Sequence, residues 1–288
     1  MPAQAGECVK TRSASRQTEY QRLKNDIVPG LLFNQTLYER WLFTQVSGNT
    51  IWLDAGCGHK ILPTWRTSAE RQLVGQARFA CGCDGDLDAV RRHTNLLNRV
   101  VCDLGALPFK SGTFTLVTSN MVMEHVEYPL EAFREFERIL KPGGVVMVHT
   151  PHRWSYFAML SAVVPQTIKT RVSQWLDGRP EEDLYPVRYR CNTEKRLRRL
   201  FWDVGMTEVQ SSMFASEAIF QALAGSALGR FLVRLELYVL RLALWPRWRF
   251  LRLSICGIYK KSADPAPPRP HVAYEQRDMM DVKKRTTR

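Results

Sequence analysis

The stretch IWLDAGCG, from Ile51 to Gly58, reads as a buried strand that runs into an acid and two glycines. β-branched, aromatic and aliphatic residues in a short run predict such a strand, and the glycines predict a tight turn at its end. Because glycine has no Cβ, the backbone of this turn can approach a ligand closely. The carboxylate of Asp54 disfavours a pyrophosphate as that ligand, and it favours a cationic or hydroxyl-rich cofactor.

A dinucleotide site is the obvious rival interpretation, since Gly56 and Gly58 supply the first two positions of the pattern G-x-G-x-x-G. The third position falls on Ile61, whose side chain would obstruct close packing of a helix on the strand. The sequence therefore disfavours a nicotinamide or flavin site.

The next hundred residues repeat the pattern of an apolar run that ends in an acid or a polar residue. Further strands are predicted over Phe79–Asp84, Arg99–Asp103, Phe114–Ser119 and Val145–Val148, and a helix over Tyr128–Leu140 is followed by a turn at Lys141–Gly144. Alternating strands and helices predict a parallel sheet whose ligand crevice lies at the carboxyl edge. Asp54, Asp84 and Asp103 would all reach that edge.

The order of these features resembles the class I S-adenosylmethionine-dependent methyltransferases, in the type 11 group that includes ubiquinone and menaquinone biosynthesis enzymes. The resemblance rests on LDAGCG (Leu53–Gly58), Asp84, CDLGALPF (Cys102–Phe109), the run from Thr115 to Val126, and LKPGG (Leu140–Gly144). It implies an α/β, Rossmann-like, seven-stranded and mostly parallel sheet with helices on both faces and an antiparallel last strand. A helical insert is expected between strands six and seven.

The resemblance also assigns roles to residues of this chain. The first loop would bind the methionine part of the cofactor, Asp84 the ribose, and the Asp103 region the adenine, with Asn120 near the methyl group. The implied cofactor-binding set is Asp54, Ala55, Gly56, Cys57, Gly58, Asp84, Gly85, Asp103, Leu104 and Asn120. Lys60 stands where the family usually has a third glycine, and Thr115 where an acid is common. The long gap between Asp54 and Asp84 predicts an extended loop around residues 61–68.

Methyl transfer to a hydroxyl or an activated carbon is helped by a base, and His125 is the candidate because histidine titrates near neutral pH. A role for Glu124 and His125 in helix capping and pocket shape is the alternative. Tyr185, Tyr189 and His152 are candidate substrate contacts in or near a polar, aromatic segment that also reads as a solvated connector. The scattered cysteines predict no metal site, since the resemblance places them on neighbouring strands.

The chain has 288 residues and a formal net charge of +13. We predict disorder over 1–14, an N-terminal helical lid over 15–48 broken at Pro29-Gly30, a methyltransferase domain over 49–262 and a disordered, Pro-rich basic tail over 263–288. Seven cysteines and no signal-peptide pattern favour a reducing cytoplasm.

The predicted helical insert, about residues 216–250, is unusual because it is rich in both leucine and arginine. Arg230, Arg234 and Arg241 fall within about 40° of arc on a helix. Trp245 and Trp248 follow among further arginines, as in an interfacial helix at a lipid headgroup layer. The alternatives are packing against the protein's own core or a dimer partner, with the arginines reaching water, and contact with nucleic acid.

The sequence thus predicts a methyltransferase (EC 2.1.1) that acts on a hydrophobic or lipid-linked small molecule, by O- or C-methylation. It would be cytoplasmic, and peripheral on the inner face of the membrane. The alternatives are an RNA or protein methyltransferase that uses the basic C-terminal half, and a non-catalytic cofactor-binding module. Nucleic acid is the less favoured partner, and the sequence predicts no oligomeric state.

Overall fold

A computed structural model describes residues 18–156, 158–159, 186–215 and 223–263. Tyr185, the proposed disordered N-terminal segment and nearly all of the basic tail lie outside these residues, as does part of the predicted insert. The strands are β1 (Ile51–Ala55), β2 (Phe79–Asp84), β3 (Asn98–Val101), β4 (Phe114–Asn120), β5 (Leu140–Pro151), β6 (Met206–Phe214) and β7 (Ser254–Lys261).

These strands form one sheet in the order β3-β2-β1-β4-β5-β7-β6. Neighbours from β3 to β5 pair in parallel, whereas β7 runs antiparallel to both β5 and β6. The chain reverses its direction of growth at β1 and β4, so the carboxyl ends of these two strands border the crevice where α/β sheets bind ligands. The predicted fold class is confirmed.

Helices cover both faces of the sheet. Residues 18–27 are helical and are called α1. The others within the described ranges are α2 (Asn34–Gln45), α3 (Thr67–Gln76), α4 (Leu87–Arg92), α5 (Pro129–Ile139), α6 (Glu194–Asp203) and α7 (Ala227–Ala243), with short 3-10 helices at Thr64–Arg66 and Pro246–Leu251.

Apolar side chains fill the space on each side of the sheet. On one face, Phe133 of α5 stacks on Phe201 of α6, which stacks on Tyr259 of β7, with ring centroids 4.1 and 3.8 Å apart. On the other face, Tyr38 and Leu42 of α2 are buried in a cluster with residues of β1, β4 and β5. Burial of such large side chains contributes about 1.5–3 kcal/mol each, which fixes the strands that carry the site.

Two local features differ from the sequence-based expectation. The predicted turn at Lys141–Gly144 lies inside β5, where Gly143 has φ +78° and the pairing with β4 shifts register between Phe114 and Leu116. Proline and glycine are thus accommodated as an irregularity in a strand rather than as a turn. The predicted loop over 61–68 contains the 3-10 helix Thr64–Arg66 and the start of α3.

The helical insert packs against the N-terminal helix of its own chain. Val233, Leu237 and Leu240 of α7 form a buried cluster with Leu23 and Ile27 of α1. Packing of the insert on its own core, one of the alternatives from the sequence, therefore describes one face of α7. None of the helices within the described ranges has both the length and the apolar character needed to span a bilayer.

Candidate active site

Three acids lie at the carboxyl ends of adjacent strands. Asp54 of β1 pairs with Gly82 of β2, two residues before Asp84, and Asp84 pairs with Val101 of β3, two residues before Asp103. Parallel neighbours deliver their ends to the same edge of the sheet, so the fold gathers the acids as the sequence predicts.

The first loop turns sharply after β1 because both of its glycines adopt positive φ. Gly56 has φ +81° and Gly58 has φ +50°. The N–H groups of Gly56 and Cys57 both donate to the carbonyl oxygen of Cys83, at 2.7 and 3.0 Å, which ties the loop to the end of β2. A Cβ at Gly58 would have no heavy atom within 4 Å, so this part of the loop faces open space.

Asp84 is held in a fixed orientation at the end of β2. Its Oδ2 accepts from the N–H of Gly58 at 2.8 Å, and its Oδ1 accepts from the N–H of Asp86 at 2.9 Å. Each carboxylate oxygen has a second lone pair, so the group can still accept hydrogen bonds from two ligand hydroxyls. At Gly85, beside it, a Cβ would meet the carbonyl oxygen of Cys102 at 4.0 Å, which is ordinary van der Waals contact.

Asp54 is buried, and a hydrogen bond from the neighbouring strand β4 fixes its carboxylate. Thr118 of β4 donates to its carboxylate, and the indole N–H of Trp52 donates to the Thr118 hydroxyl at 2.7 Å. Burial raises the pKa of Asp54 to about 7, against the lowering effect of the Thr118 hydrogen bond. A nearby cation would favour the ionised form of this carboxyl.

We expect the D54N substitution to raise the free energy of unfolding of the ligand-free protein, relative to wild type, more at pH 8 than at pH 5. Because the folded-state pKa is raised, the folded protein retains a proton that the unfolded chain releases between pH ~4 and ~7, and the stability contribution falls as pH rises through that window. The expected difference between pH 5 and pH 8 is roughly 2.7 kcal/mol, since about two pKa units of the window lie above pH 5 and each unit corresponds to about 1.36 kcal/mol.

Chemical denaturation of both proteins at the two pH values measures this effect. The E124Q substitution is measured in parallel and should show a pH dependence of the same sign, because burial also raises the pKa of Glu124 to about 7. The prediction would be contradicted if the difference in free energy of unfolding between D54N and wild type were the same at pH 5 and pH 8.

Asp103 lies two residues past the end of β3 and is exposed. Its Oδ1 accepts from the N–H of Gly105 at 2.7 Å, which turns the chain sharply after the strand. Leu104 is half-buried against the core at this turn. A carboxylate and an apolar side chain at one exposed turn suit a flat base with an exocyclic amine.

Asn120, at the end of β4, connects the first loop to β5. Its Nδ2 donates to the carbonyl oxygen of Ile61 at 3.4 Å, and its Oδ1 lies 2.8 Å from Nδ1 of His149. Burial lowers the pKa of His149 to about 4, so the ring is neutral and donates from Nδ1 to the Asn120 oxygen. The ring of Tyr38 from α2 stacks on His149 with centroids 5.1 Å apart.

His125 lies on the loop after β4 beside a buried carboxyl. Its Nδ1 is 3.0 Å from the carbonyl oxygen of Pro186, and its Nε2 is 3.8 Å from Oε1 of Glu124. Since a carbonyl only accepts, Nδ1 carries the proton of the neutral ring and Nε2 has the lone pair. Thr150 of β5 donates to Oε2 of Glu124 at 3.0 Å, which fixes the carboxyl beside the ring.

The candidate substrate residues are separated in the structure. Tyr189, with φ +51°, donates its backbone N–H to the carbonyl oxygen of Glu124 at 3.1 Å, which places it next to His125. His152 instead lies 3.1 Å from the carbonyl oxygen of Phe250 and lines a separate surface groove of about 750 Å³ with Trp154 and Phe250. Tyr185 is outside the described residues.

Two partners of the site were not predicted as site residues. Thr118 pairs in register with Asp54, so the alternation of β4 contained the signal once β1 and β4 are known to be neighbours. Tyr38 is fully buried on α2, and both its burial and the nearby Asp54 raise its pKa. No local pattern in the sequence links a tyrosine in the N-terminal segment to the strand edge.

The sequence matches a known family over the centre of the chain. Residues 53–148 match the family described as "Methyltransferase domain". Malonyl-(acyl-carrier protein) O-methyltransferase of Hahella chejuensis is 31% identical over 180 residues, which cover 55% of this chain and 61% of that protein. The ubiquinone/menaquinone biosynthesis C-methyltransferase of Ruegeria sp. is 46% identical over 52 residues, which cover 18% of this chain and 21% of that protein. The chain thus matches less than two thirds of the length of either relative.

Solved structures share the fold at low identity. A chain from the complex of the Haloferax volcanii Trm112 methyltransferase activator with a methyltransferase has TM-score 0.52 and 17% identity, covering 79% of this chain and 90% of that one. The (4+2)-cyclase SpnF has TM-score 0.51 and 14% identity, covering 85% of this chain and 93% of that one. Because one of these is described as a cyclase, the fold alone does not assign the reaction.

Proposed function

We propose, from the match of residues 53–148 to the family described as "Methyltransferase domain", that this protein transfers a methyl group from S-adenosylmethionine to a hydrophobic or lipid-linked small molecule. The acceptor atom would be an oxygen or a carbon, and the protein would meet its acceptor at a membrane surface. The observation that carries the proposal is the fixed carboxylate of Asp84 beside the open backbone of Gly58, at the edge that gathers three acids.

The described residues fit the chemistry of the cofactor. A ribose offers two hydroxyl donors, which the Asp84 carboxylate can accept while Gly58 and Asp86 hold it in place. An adenine amine matches the exposed carboxylate of Asp103, and open space at Gly58 leaves room for the ligand beside the backbone. The sulfonium and ammonium charges of the cofactor would favour ionised Asp54, whose pKa burial otherwise raises.

When bound, the cofactor supplies a methyl group on a positively charged sulfur, which is its own leaving group. The protein then has to align the acceptor and exclude water, and positioning of this kind supplies up to about 7–11 kcal/mol. Asn120 is suited to this task because His149 and the Ile61 carbonyl fix both ends of its amide.

His125 is suited to remove a proton from an acceptor hydroxyl or carbon. With Nδ1–H directed at the Pro186 carbonyl, the lone pair of Nε2 accepts the proton, and the neighbouring Glu124 carboxyl stabilises the resulting imidazolium when it is ionised. Glu124 would be a positioning residue in this arrangement, because it acts through the ring.

The hydrophobic acceptor is supported by two observations. The relatives include a C-methyltransferase of ubiquinone and menaquinone biosynthesis and an O-methyltransferase of a carrier-bound malonyl group. The groove beside His152 is lined by exposed Trp154, Met159 and Phe250, and it opens close to the end of β5. An apolar tail would bury such side chains from water.

Transfer of a radiolabelled methyl group from S-adenosylmethionine into separate lipid, RNA and protein extracts tests the proposal. We expect label in the lipid extract, with the H125N variant reduced on the order of 100-fold, as for loss of a general base. Unchanged affinity of H125N for S-adenosylhomocysteine serves as the control, because His125 is assigned to the acceptor and is not among the cofactor-binding residues.

Label in RNA or protein instead of lipid would contradict the lipid-linked acceptor and identify RNA or protein as the acceptor. Binding of S-adenosylhomocysteine without transfer to any extract would favour a cofactor-binding module, and no binding at all would overturn the cofactor assignment.

A further inference from the structure

We propose that the outward face of α7, together with the 3-10 helix that follows it, docks the protein on an anionic lipid surface. This inference rests on the proposed function for its biological role, but membrane binding is measured without methyl transfer. The surface is called the α7 docking face and consists of Leu228, Phe231, Arg234, Leu235, Tyr238, Arg241, Leu242, Trp245 and Trp248.

One side of α7 is already used within the chain. Val233, Leu237 and Leu240 are fully buried against α1, and Gly229 is so close to Leu223 that a Cβ there would clash with its carbonyl oxygen. Arg252 donates to the carbonyl oxygens of Ala243 and Leu244, at 2.9 and 3.1 Å, which fixes the chain after the helix. The helix is therefore held in one orientation, and its opposite side is displayed to solvent.

That opposite side is apolar. The exposed members are Leu228 (70%), Phe231 (61%), Leu235 (54%), Tyr238 (52%) and Leu242 (48%). At the helical repeat these five positions fall within about 80° of arc, on the side away from the buried residues. Scattered exposed leucines are ordinary, but a continuous stripe along four turns marks an interaction surface.

Cations border this stripe on one side, and the same segment of chain places no exposed acid beside them. Arg234 and Arg241 are exposed and lie on the arc between the buried and the outward apolar sides. Glu236 is the only acid among the 35 residues from 227 to 261, and it is buried, accepting a hydrogen bond from Tyr156 at 2.6 Å. The outward side of α7 therefore presents positive charge alone, which is complementary to anionic headgroups.

The 3-10 helix Pro246–Leu251 extends the same character. Trp245 and Trp248 are 66% and 43% exposed, and Arg247 between them is also exposed. Tryptophan and arginine together suit the headgroup layer, where an aromatic ring meets apolar chains and a cation meets phosphate. An amphipathic helix in such a layer lies about 5–10 Å deep, which accounts for a continuous apolar stripe with cations on its border.

Sedimentation of the full chain with vesicles tests the proposal. We expect binding to vesicles of phosphatidylcholine mixed with phosphatidylglycerol, and weak binding to pure phosphatidylcholine. The pair R234E/R241E is expected to weaken binding on the order of 100-fold or more, since each unit of charge near such a surface contributes about a factor of five and the two reversals change four units. The pair F231S/L235S removes apolar contact and is expected to weaken binding to a similar extent.

Control variants distinguish the α7 docking face from a general effect of surface charge or of exposed apolar side chains. The R71E variant reverses an exposed arginine on α3, and L97S removes a leucine that is 89% exposed before β3. Both controls should bind vesicles like wild type. All substitutions are at exposed positions, so circular dichroism and affinity for S-adenosylhomocysteine should be unchanged in every variant.

Absence of wild-type binding to the anionic vesicles would overturn the proposal, as would equal binding by wild type and both α7 pairs. If the wild type forms a dimer that F231S/L235S dissociates, and if it does not bind vesicles, then the partner of the α7 docking face is a second copy of the chain and not a lipid surface. Vesicle binding without methyl transfer would leave this inference standing and reject the proposed function.

Discussion

The D84N substitution is expected to weaken binding of S-adenosylhomocysteine on the order of 100-fold or more, because two hydrogen bonds to a charged group are worth about 1.5–3 kcal/mol each. Asp84 accepts backbone N–H donors with both of its oxygens, from Gly58 at 2.8 Å and Asp86 at 2.9 Å. An asparagine has one acceptor oxygen, so in either orientation its NH₂ group would face one of these donors. The variant would thus lose ligand contacts and the fixed position of the first loop together.

Calorimetric titration with S-adenosylhomocysteine measures this effect. The D88N variant is the matched control, because Asp88 is exposed on α4 and pairs only weakly with Arg91 at 3.7 Å. Wild-type affinity in D84N would rule out the assignment of Asp84 to the ribose. Equal loss in D88N would point to a general electrostatic effect of the acidic loop.

The G56A and G58A substitutions are expected to separate folding from ligand binding. At Gly56 a Cβ would lie 2.3 Å from Cγ2 of Val122, at φ +81°. The left-handed backbone costs about 1–2 kcal/mol for a residue with a side chain, and crowding in a packed region adds about 1–3 kcal/mol. The free energy of unfolding of G56A should therefore fall by roughly 2–5 kcal/mol.

At Gly58 the same change meets open space, so only the backbone term of about 1–2 kcal/mol is expected. The new methyl group would instead project into the space assigned to the ligand, and affinity for S-adenosylhomocysteine should fall more than stability. Denaturant titration and calorimetry on both variants measure the two effects.

Val122→Ala in the G56A background provides a further check, since removal of the two methyl groups should recover the crowding part of the loss. Equal stability of G56A and G58A would contradict the close approach of the first loop to Val122.

The order of strands and helices was predictable from the sequence because each element carries its own periodicity and its own terminating residues. The apolar run of β1 and the spacing of Phe133, Phe136 and Ile139 in α5 need no partner to be recognised. The placement of Asp54, Asp84 and Asp103 at one edge also followed, since parallel strands share the direction of their carboxyl ends.

The electrostatic state of the site was not predictable in this way. The raised pKa of Asp54 depends on its burial, which outweighs the lowering effect of the hydrogen bond from Thr118, 64 residues away in the chain. The neutral state of His149 depends on complete burial beside Tyr38 of α2. Burial results from packing of distant elements, and local pattern carries no record of it.

The two sides of α7 also show what the sequence determined and what tertiary packing decided. The sequence by itself determined an arginine stripe beside a broad apolar surface, because helical spacing fixes which residues share a side. It left open whether the apolar surface meets the protein or something else. The tertiary structure decided that one side of α7 packs against the protein, because α1 covers Val233, Leu237 and Leu240 and leaves Phe231 and Leu235 in solvent.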